Sequence, residues 1–176
     1  MFDPTIFDNL KVAVENYVYD MDNLDARVVI THRIDRLEMA VMARVFALQF
    51  TLAEGSGITA EIRLESSLKD LAAEILEQDG AAGCAVRLRF YMPVDEVESA
   101  CAYVEQQLTE LWQTDMPPTQ MISYLYGEGA VPSYQNEIEV HFNRKINEEQ
   151  MEDLPGLIEH MVQTLETLEA FAGELA

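Results

Sequence analysis

Apolar residues recur at two different periods along this chain, and each change of period marks a change of element. Phe7, Leu10, Val14, Tyr17, Val18 and Met21 are spaced by three and four. They predict a helix that opens at Asp3-Pro4, an N-cap followed by a proline at the first helical position, and that ends near residue 21. Asp20, Asp22, Asn23 and Asp25 then read as a polar turn. It is not a calcium loop, because no glycine follows Leu24 and Thr31 stands where the bidentate glutamate belongs. Three strands are expected next. Residues 27–34 are rich in β-branched types. Residues 43–53 follow, with 37–48 also readable as a helix. Residues 58–65 alternate, with Ile58, Ala60, Ile62 and Leu64 on one side and Thr59, Glu61, Arg63 and Glu65 on the other. The stretch Glu54-Gly55-Ser56-Gly57 between the last two is a hairpin loop.

Ser67 and Asp70 form a capping-box pattern ahead of a helix whose apolar face holds Leu68, Leu71, Ala72, Ile75 and Leu76, and Gly80 and Gly83 end it. Residues 84–92 predict a fourth strand stopped by Pro93. A helix over about 94–113 carries Val94, Val97, Cys101, Val104, Leu108 and Leu111 at helical spacing. Pro117-Pro118 sits in a loop, and residues 121–126 and 137–145 read as the last two strands. Asn147 and Gln150 cap a closing helix that Pro155-Gly156 kinks or restarts. Its stripe is Met151, Leu154, Ile158, Met161, Leu165, Leu168, Ala172 and Leu175. The order is α-βββ-α-β-α-ββ-α. Strands joined by short hairpins imply an α+β fold, a mostly antiparallel sheet with helices packed on it. The length suits a single domain over residues 1–176, with possible substructure at 1–83 and 84–176. The flanks of His32 and His141 share too little to make an internal repeat.

Charge narrows the partners. The formal net charge is −21, from 32 acids against 11 bases. No base follows Lys145, while eight acids do. Such a surface repels nucleic acid and anionic membranes and attracts a basic partner with a salt-sensitive on-rate. The acidic tail with its apolar stripe reads as a docking helix, or as a helix–helix dimer seam. Cys84 and Cys101 form no CxxC pair and read as small buried hydrophobes in a reducing cytosol. No signal-peptide pattern and no membrane-length apolar run are visible, so a soluble cytoplasmic protein is expected.

Chemistry has few candidates, and no cofactor is implied. Glu137, Glu139 and His141 alternate on one strand, so two carboxylates and an imidazole share a face. They could ligate Zn²⁺, Mn²⁺ or Fe²⁺, or do acid–base work in a small metal-dependent enzyme or ligand-binding protein. A solvated sheet face explains the same pattern. His32 shares the parity of Val28, Ile30 and Ile34 and reads as half-buried; His160 reads as solvated. Arg63, Arg87 and Arg89 occupy polar strand positions, where they form either a basic strip for an acidic peptide or anion or cross-strand pairs with Glu61, Glu65, Glu137 and Glu139. Tyr124, Tyr126 and Tyr134 flank a loop and could form an interface patch or simply cover the sheet.

The second half carries a resemblance. The run VRLRFYMPVDEVESACAYVEQQL, the segment MISYLYGEG and the closing NEIEVHFNRKINEEQMEDLPGLIEHMVQTLETLEAF give a strand ending in LRF-x-x-P, a helix, two polar strands and an acidic last helix. In this the chain resembles the YbjN-like bacterial family and, more loosely, the type III secretion chaperone fold. The resemblance implies a non-enzymatic regulator or chaperone, often dimeric, that holds another polypeptide through sheet edges and apolar helix faces. The leading expectation is therefore an acidic protein-binding module, with a basic or partly unfolded polypeptide as partner and homodimerisation possible. The metal enzyme is one alternative, and an acidic nucleic-acid mimic is another.

Overall fold

The structure, a computed structural model, describes residues 5–55, 57–78, 80–114, 116–127 and 133–175, with the side chain of Leu175 left undescribed. Among the described residues the elements run α1 (Ile6–Asn23), β1 (Val28–Glu38), β2 (Ala43–Leu52), β3 (Thr59–Ser66), α2 (Leu68–Ile75), β4 (Ala85–Val94), α3 (Val97–Trp112), β5 (Thr119–Tyr124), β6 (Tyr134–Val140), a 3-10 turn (Glu148–Asp153) and α4 (Leu154–Leu175). The fold is α+β in the expected order. The six strands make one antiparallel sheet in the order β1-β2-β3-β4-β6-β5. β3 and β4 pair directly, so the sheet is continuous across the boundary between residues 83 and 84.

Alternation divides the sheet into two faces. Phe46, Leu48, Phe50, Ile62, Leu64, Leu88, Phe90 and Ile138 face a core closed by Leu10, Val14 and Val18 of α1, Ala100, Val104 and Leu108 of α3, and Ile158, Met161, Leu165 and Leu168 of α4. The stripe of α4 is thus consumed inside the molecule. The opposite parity of β3, β4 and β6 carries Glu61, Arg63, Arg87, Arg89, Glu137 and Glu139.

Several expectations are corrected. α1 continues to Asn23, so Asp20 and Asp22 end a helix; Asp22 Oδ2 accepts the Ile30 N–H at 3.0 Å. Asp3 and Pro4 lie outside the described residues, and α1 begins after Thr5. Residues 43–52 are strand, which excludes the helical alternative. β4 runs through Pro93 to Val94. Pairing with β3 ends at Tyr91, so β4 has only β6 beside it at Pro93 and the missing N–H can face the unpaired side. β6 ends at Val140, and residues 141–145 leave the sheet. Glycine does not end α2; Glu77 takes the left-handed position (φ 50°). Gly83 serves a close approach instead: a Cβ there would lie 2.8 Å from the Ile146 carbonyl oxygen, beside the bridge that joins Cys84 to Ile146.

His32 is exposed, not half-buried. Thr31 is a bulge residue between the pairs Ile30–Phe50 and His32–Gln49. The extra residue reverses the parity of the rest of β1. His32 moves to the polar face, and Arg33 and Asp35 turn toward α1, where they meet Glu15 at 2.6 Å and Lys11 at 3.0 Å. His160 is half-buried rather than solvated. Its Nε2 lies 2.6 Å from the Leu111 carbonyl oxygen, which can only accept, so Nε2 carries the proton.

Candidate functional site

The polar face of the sheet holds the charged groups that the sequence offered for chemistry. Register places Glu61, Arg89 and Glu139 side by side across β3, β4 and β6, with Arg63 beside Arg87 in the next row. Glu139 Oε1 accepts from Arg87 Nη1 at 2.8 Å, and Glu139 Oε2 accepts from Arg89 Nε at 2.5 Å. Glu65 takes Arg63 at 2.8 Å and Arg87 at 3.1 Å. Glu61 is buried beneath this lattice; its Oε2 accepts from Gln49 at 2.7 Å, and its Oε1 has Arg63 at 3.5 Å and Arg89 at 3.9 Å without a hydrogen bond. Glu137 is 3.5 Å from Arg89.

Electrostatics lock the lattice in its charged form. Burial alone would raise the Glu139 carboxyl, but the Arg89 and Arg87 guanidiniums outweigh it and hold it below the ordinary carboxylate range. Burial would likewise lower Arg89, but its hydrogen bonds to Glu139 and Tyr91 raise it instead. Tyr91 is pushed up by burial and then by the Glu61 charge. His141 Nδ1 lies 3.2 Å from Glu139 Oε1, and its Nε2 lies 2.9 Å from the Thr119 hydroxyl. Glu137, Glu139 and His141 therefore do share a face, but the lone pairs of Glu139 already serve two arginines and a histidine. Among the described residues no three His, Cys, Asp or Glu side chains are placed to hold a metal ion. Arg63, Arg87 and Arg89 come together as well, each with a carboxylate partner. Cys84 is buried, and burial pushes its thiol up to about 12.

Of the three tyrosines, Tyr124 and Tyr134 are cross-strand partners whose rings meet edge-on at 5.6 Å. Tyr126 lies past the end of β5 and is 95% exposed. They mark the β5 edge of the sheet, where Met121 is also open.

The least expected surface lies near the other edge. α2 turns its predicted apolar face outward: Leu68 is 54% exposed, Ile75 48% and Leu76 65%, while Asp70 and Ala73 are buried. The cause is polar. Asp70 closes the capping box, accepting from the Ser67 N–H at 2.9 Å and the Ser67 hydroxyl at 2.7 Å, and its other oxygen accepts from Lys145. One turn on, Glu74 Oε1 accepts the N–H groups of Thr5 and Ile6, filling the place of a side-chain cap that Thr5 does not supply. Asp70 and Glu74 must face the body to make these bonds, so Leu68, Leu71 and Ile75 face away.

Beside α2 stands the β1–β2 turn. Glu38 pairs with Ala43, which leaves Met39-Ala40-Val41-Met42 as the turn. All four are apolar and exposed, and Met42 sits in the left-handed region (φ 51°) that favours glycine or asparagine. A cleft of about 360 Å³ lies between turn and helix, lined by Phe7, Leu37, Met42, Arg44, Leu71 and Glu74. The Arg44 guanidinium covers the Phe7 ring at 4.3 Å and pairs with Asp8 at 3.0 Å.

Comparison with protein-family models, with curated proteins and with solved structures finds no match. The cleft was not among the candidate residues read from sequence. A signal was there, in a four-residue connection between strands without glycine, asparagine, aspartate or proline.

Proposed function

We propose that this chain is a non-enzymatic protein-binding module that holds a basic, partly unfolded polypeptide segment in the cleft between the β1–β2 turn and α2. The observation that carries the reading is a cleft lined by the exposed Leu37 and Met42 together with Leu71, with Met39 and Val41 exposed in the same turn and Leu68 and Ile75 exposed on the same helix. Exposed apolar residues that share a cleft mark interaction surfaces, whereas scattered ones need no explanation. Met39 and Met42 supply flexible, polarizable side chains that adapt to varied partners. Met42 in a left-handed conformation costs stability, and strain of this kind is kept where contact matters more than conformation.

The net charge of −21 selects the partner. Two copies of this chain repel one another, whereas a basic segment is steered toward either. The resemblance to secretion chaperones implies a polypeptide partner, and the charge makes it a basic one. The charged residues of the sheet face, engaged with one another, support a binding module over an enzyme.

The test uses fluorescently labelled peptides of alternating leucine and lysine, or leucine and glutamate, titrated against the full chain. The leucine–lysine peptide is expected to bind with a salt-dependent affinity, and the leucine–glutamate peptide to bind far more weakly. The charge-neutral variants Leu37→Ser and Leu71→Ser, at two residues that line the cleft, are expected to weaken binding by about tenfold each, the loss of one buried aliphatic contact. Unchanged affinity in both variants would refute the cleft as the binding surface.

A further inference from the structure

A second cavity, of about 500 Å³, lies elsewhere and shares no lining residue with the cleft at α2. It forms where the C-terminal end of α3, the segment after β6 and the start of α4 meet. Trp112, Phe142, Val86, Ile146, Leu154 and Leu157 give it apolar walls. Its frame is fixed. Trp112 Nε1 donates to Thr164 Oγ1 at 3.1 Å, the Trp112 ring meets His160 edge-on at 4.5 Å and Phe142 at 6.3 Å, and His160 donates to the Leu111 carbonyl. The volume falls in the range of small-molecule sites, roughly 300–1,000 Å³, and the mix of apolar walls with a few polar groups is theirs too.

The polar groups at the cavity define the ligand. Arg27, Arg33, Arg44, Arg63, Arg87 and Arg89 each have a carboxylate partner. Arg144 lines the cavity, is exposed, and has no ion-pair or hydrogen-bond partner among the described residues, in a chain with 32 acids. Among the described residues Arg36 and Lys69 are also without ion pairs, but neither lines this cavity. Gln150 lines it as well; its Oε1 is taken by the Asn147 N–H at 2.9 Å, which leaves its amide hydrogens to donate. An unpaired guanidinium and a donating amide beside an apolar chamber suit a carboxylate carrying an apolar tail. Asp153 lines the same cavity and opposes that charge.

We infer that this cavity binds a small amphipathic monocarboxylate, with its apolar tail between Trp112, Phe142 and Leu157 and its acid head on Arg144. Asp153 weakens the site and sets its affinity.

Trp112 is the only tryptophan in the chain, so its emission reports occupancy directly. The probes are decanoate and decanol, which share a chain length and differ in charge. The native chain is expected to show a saturable change with decanoate and a weaker one with decanol. Arg144→Gln, at an exposed side chain, should weaken decanoate by about tenfold or more, the worth of one charge-assisted hydrogen bond, and leave decanol unchanged. Asp153→Asn should tighten decanoate by about threefold as a like charge is removed. Gly156 lines the cavity and a Cβ there would meet nothing within 4 Å, so Gly156→Leu should obstruct both probes without disturbing the helix. Equal binding of decanoate and decanol, or decanoate binding unaffected by Arg144→Gln, would overturn the acid-head assignment. No saturable change with either probe would overturn the site.

Discussion

Leu154, Ile158, Met161, Leu165 and Leu168 of α4 are spaced by three and four, and so are Leu68, Leu71 and Ile75 of α2. The first set is buried against the sheet; of the second, Leu68 and Ile75 stand in the open and Leu71 lines a cleft. Apolar spacing alone does not tell the two helices apart. Their polar residues do. The acids of α4 lie outside the buried stripe; Glu159, for instance, pairs with Arg27 at 2.7 Å on the surface. Asp70 and Glu74 of α2 instead have fixed obligations inward, to Lys145 and to the first N–H groups of α1. A helix turns its apolar face to the core unless its polar face has a better reason to be there, and a face left open by such a reason is free for a partner.

The sharpest way to break the comparison is to shorten one side chain on each stripe. Leu165→Ala is expected to cost about 3 kcal/mol, the usual loss for a fully buried leucine, and to lower the urea midpoint accordingly. Leu68→Ala on α2 should cost less than about 0.5 kcal/mol and leave the same midpoint nearly unmoved. A large loss there would mean that the α2 stripe is packed after all.

Next in size is the anchor that turns α2. Asp70→Asn should cost about 1–3 kcal/mol, because it strips a buried, charge-assisted partner from Lys145. Burial pushes the Asp70 carboxyl up, but the Lys145 ammonium and the bonds from Ser67 prevail and hold it below its ordinary value. Its folded pKa is therefore depressed, so its contribution is complete above the unfolded pKa of about 4 and fades as pH falls through the lower folded value. The native chain should lose stability over that acid window more steeply than Asp70→Asn, in parallel denaturation series at several pH values.

A smaller effect sharpens the reading of the turn. Met42→Gly should stabilise the chain by about 1 kcal/mol, since glycine adopts the left-handed position without strain, and should weaken binding at the cleft. A thermal melt and a peptide titration on one preparation check both halves. A variant less stable than the native chain would show that Met42 contributes packing within the fold.

Much of the fold was legible. The alternation over residues 58–65, the Ser67–Asp70 box and the stripes of α1 and α4 predicted their elements, because each is a local pattern with one physical solution. The failures have local causes with distant consequences. One inserted residue, Thr31, reverses the parity of β1, and nothing in its neighbours announces a bulge. Pro93 stays in its strand because pairing with β3 stops two residues earlier, at Tyr91, a fact of pairing and not of composition. His160 is held by a carbonyl at the end of another helix. On the sheet face, the positions of Arg63, Arg87, Arg89 and the glutamates followed from parity, and cross-strand pairing was one of the two readings available for them. The cleft was missed because the orientation of α2 depends on Asp70 meeting Lys145, residues 75 positions apart.

The most direct test of the central claim is photo-crosslinking in living cells from a benzoylphenylalanine placed at Met42, an exposed residue that lines the cleft, with Glu110 on the exposed side of α3 as the reference position. A discrete adduct with a basic protein from Met42, absent from Glu110 and lost when Leu37→Ser is added, is the predicted result. An adduct of twice the chain mass would name a second copy as the occupant and contradict the choice of a basic partner. No adduct, or the same adducts from both positions, would contradict the cleft as a binding surface.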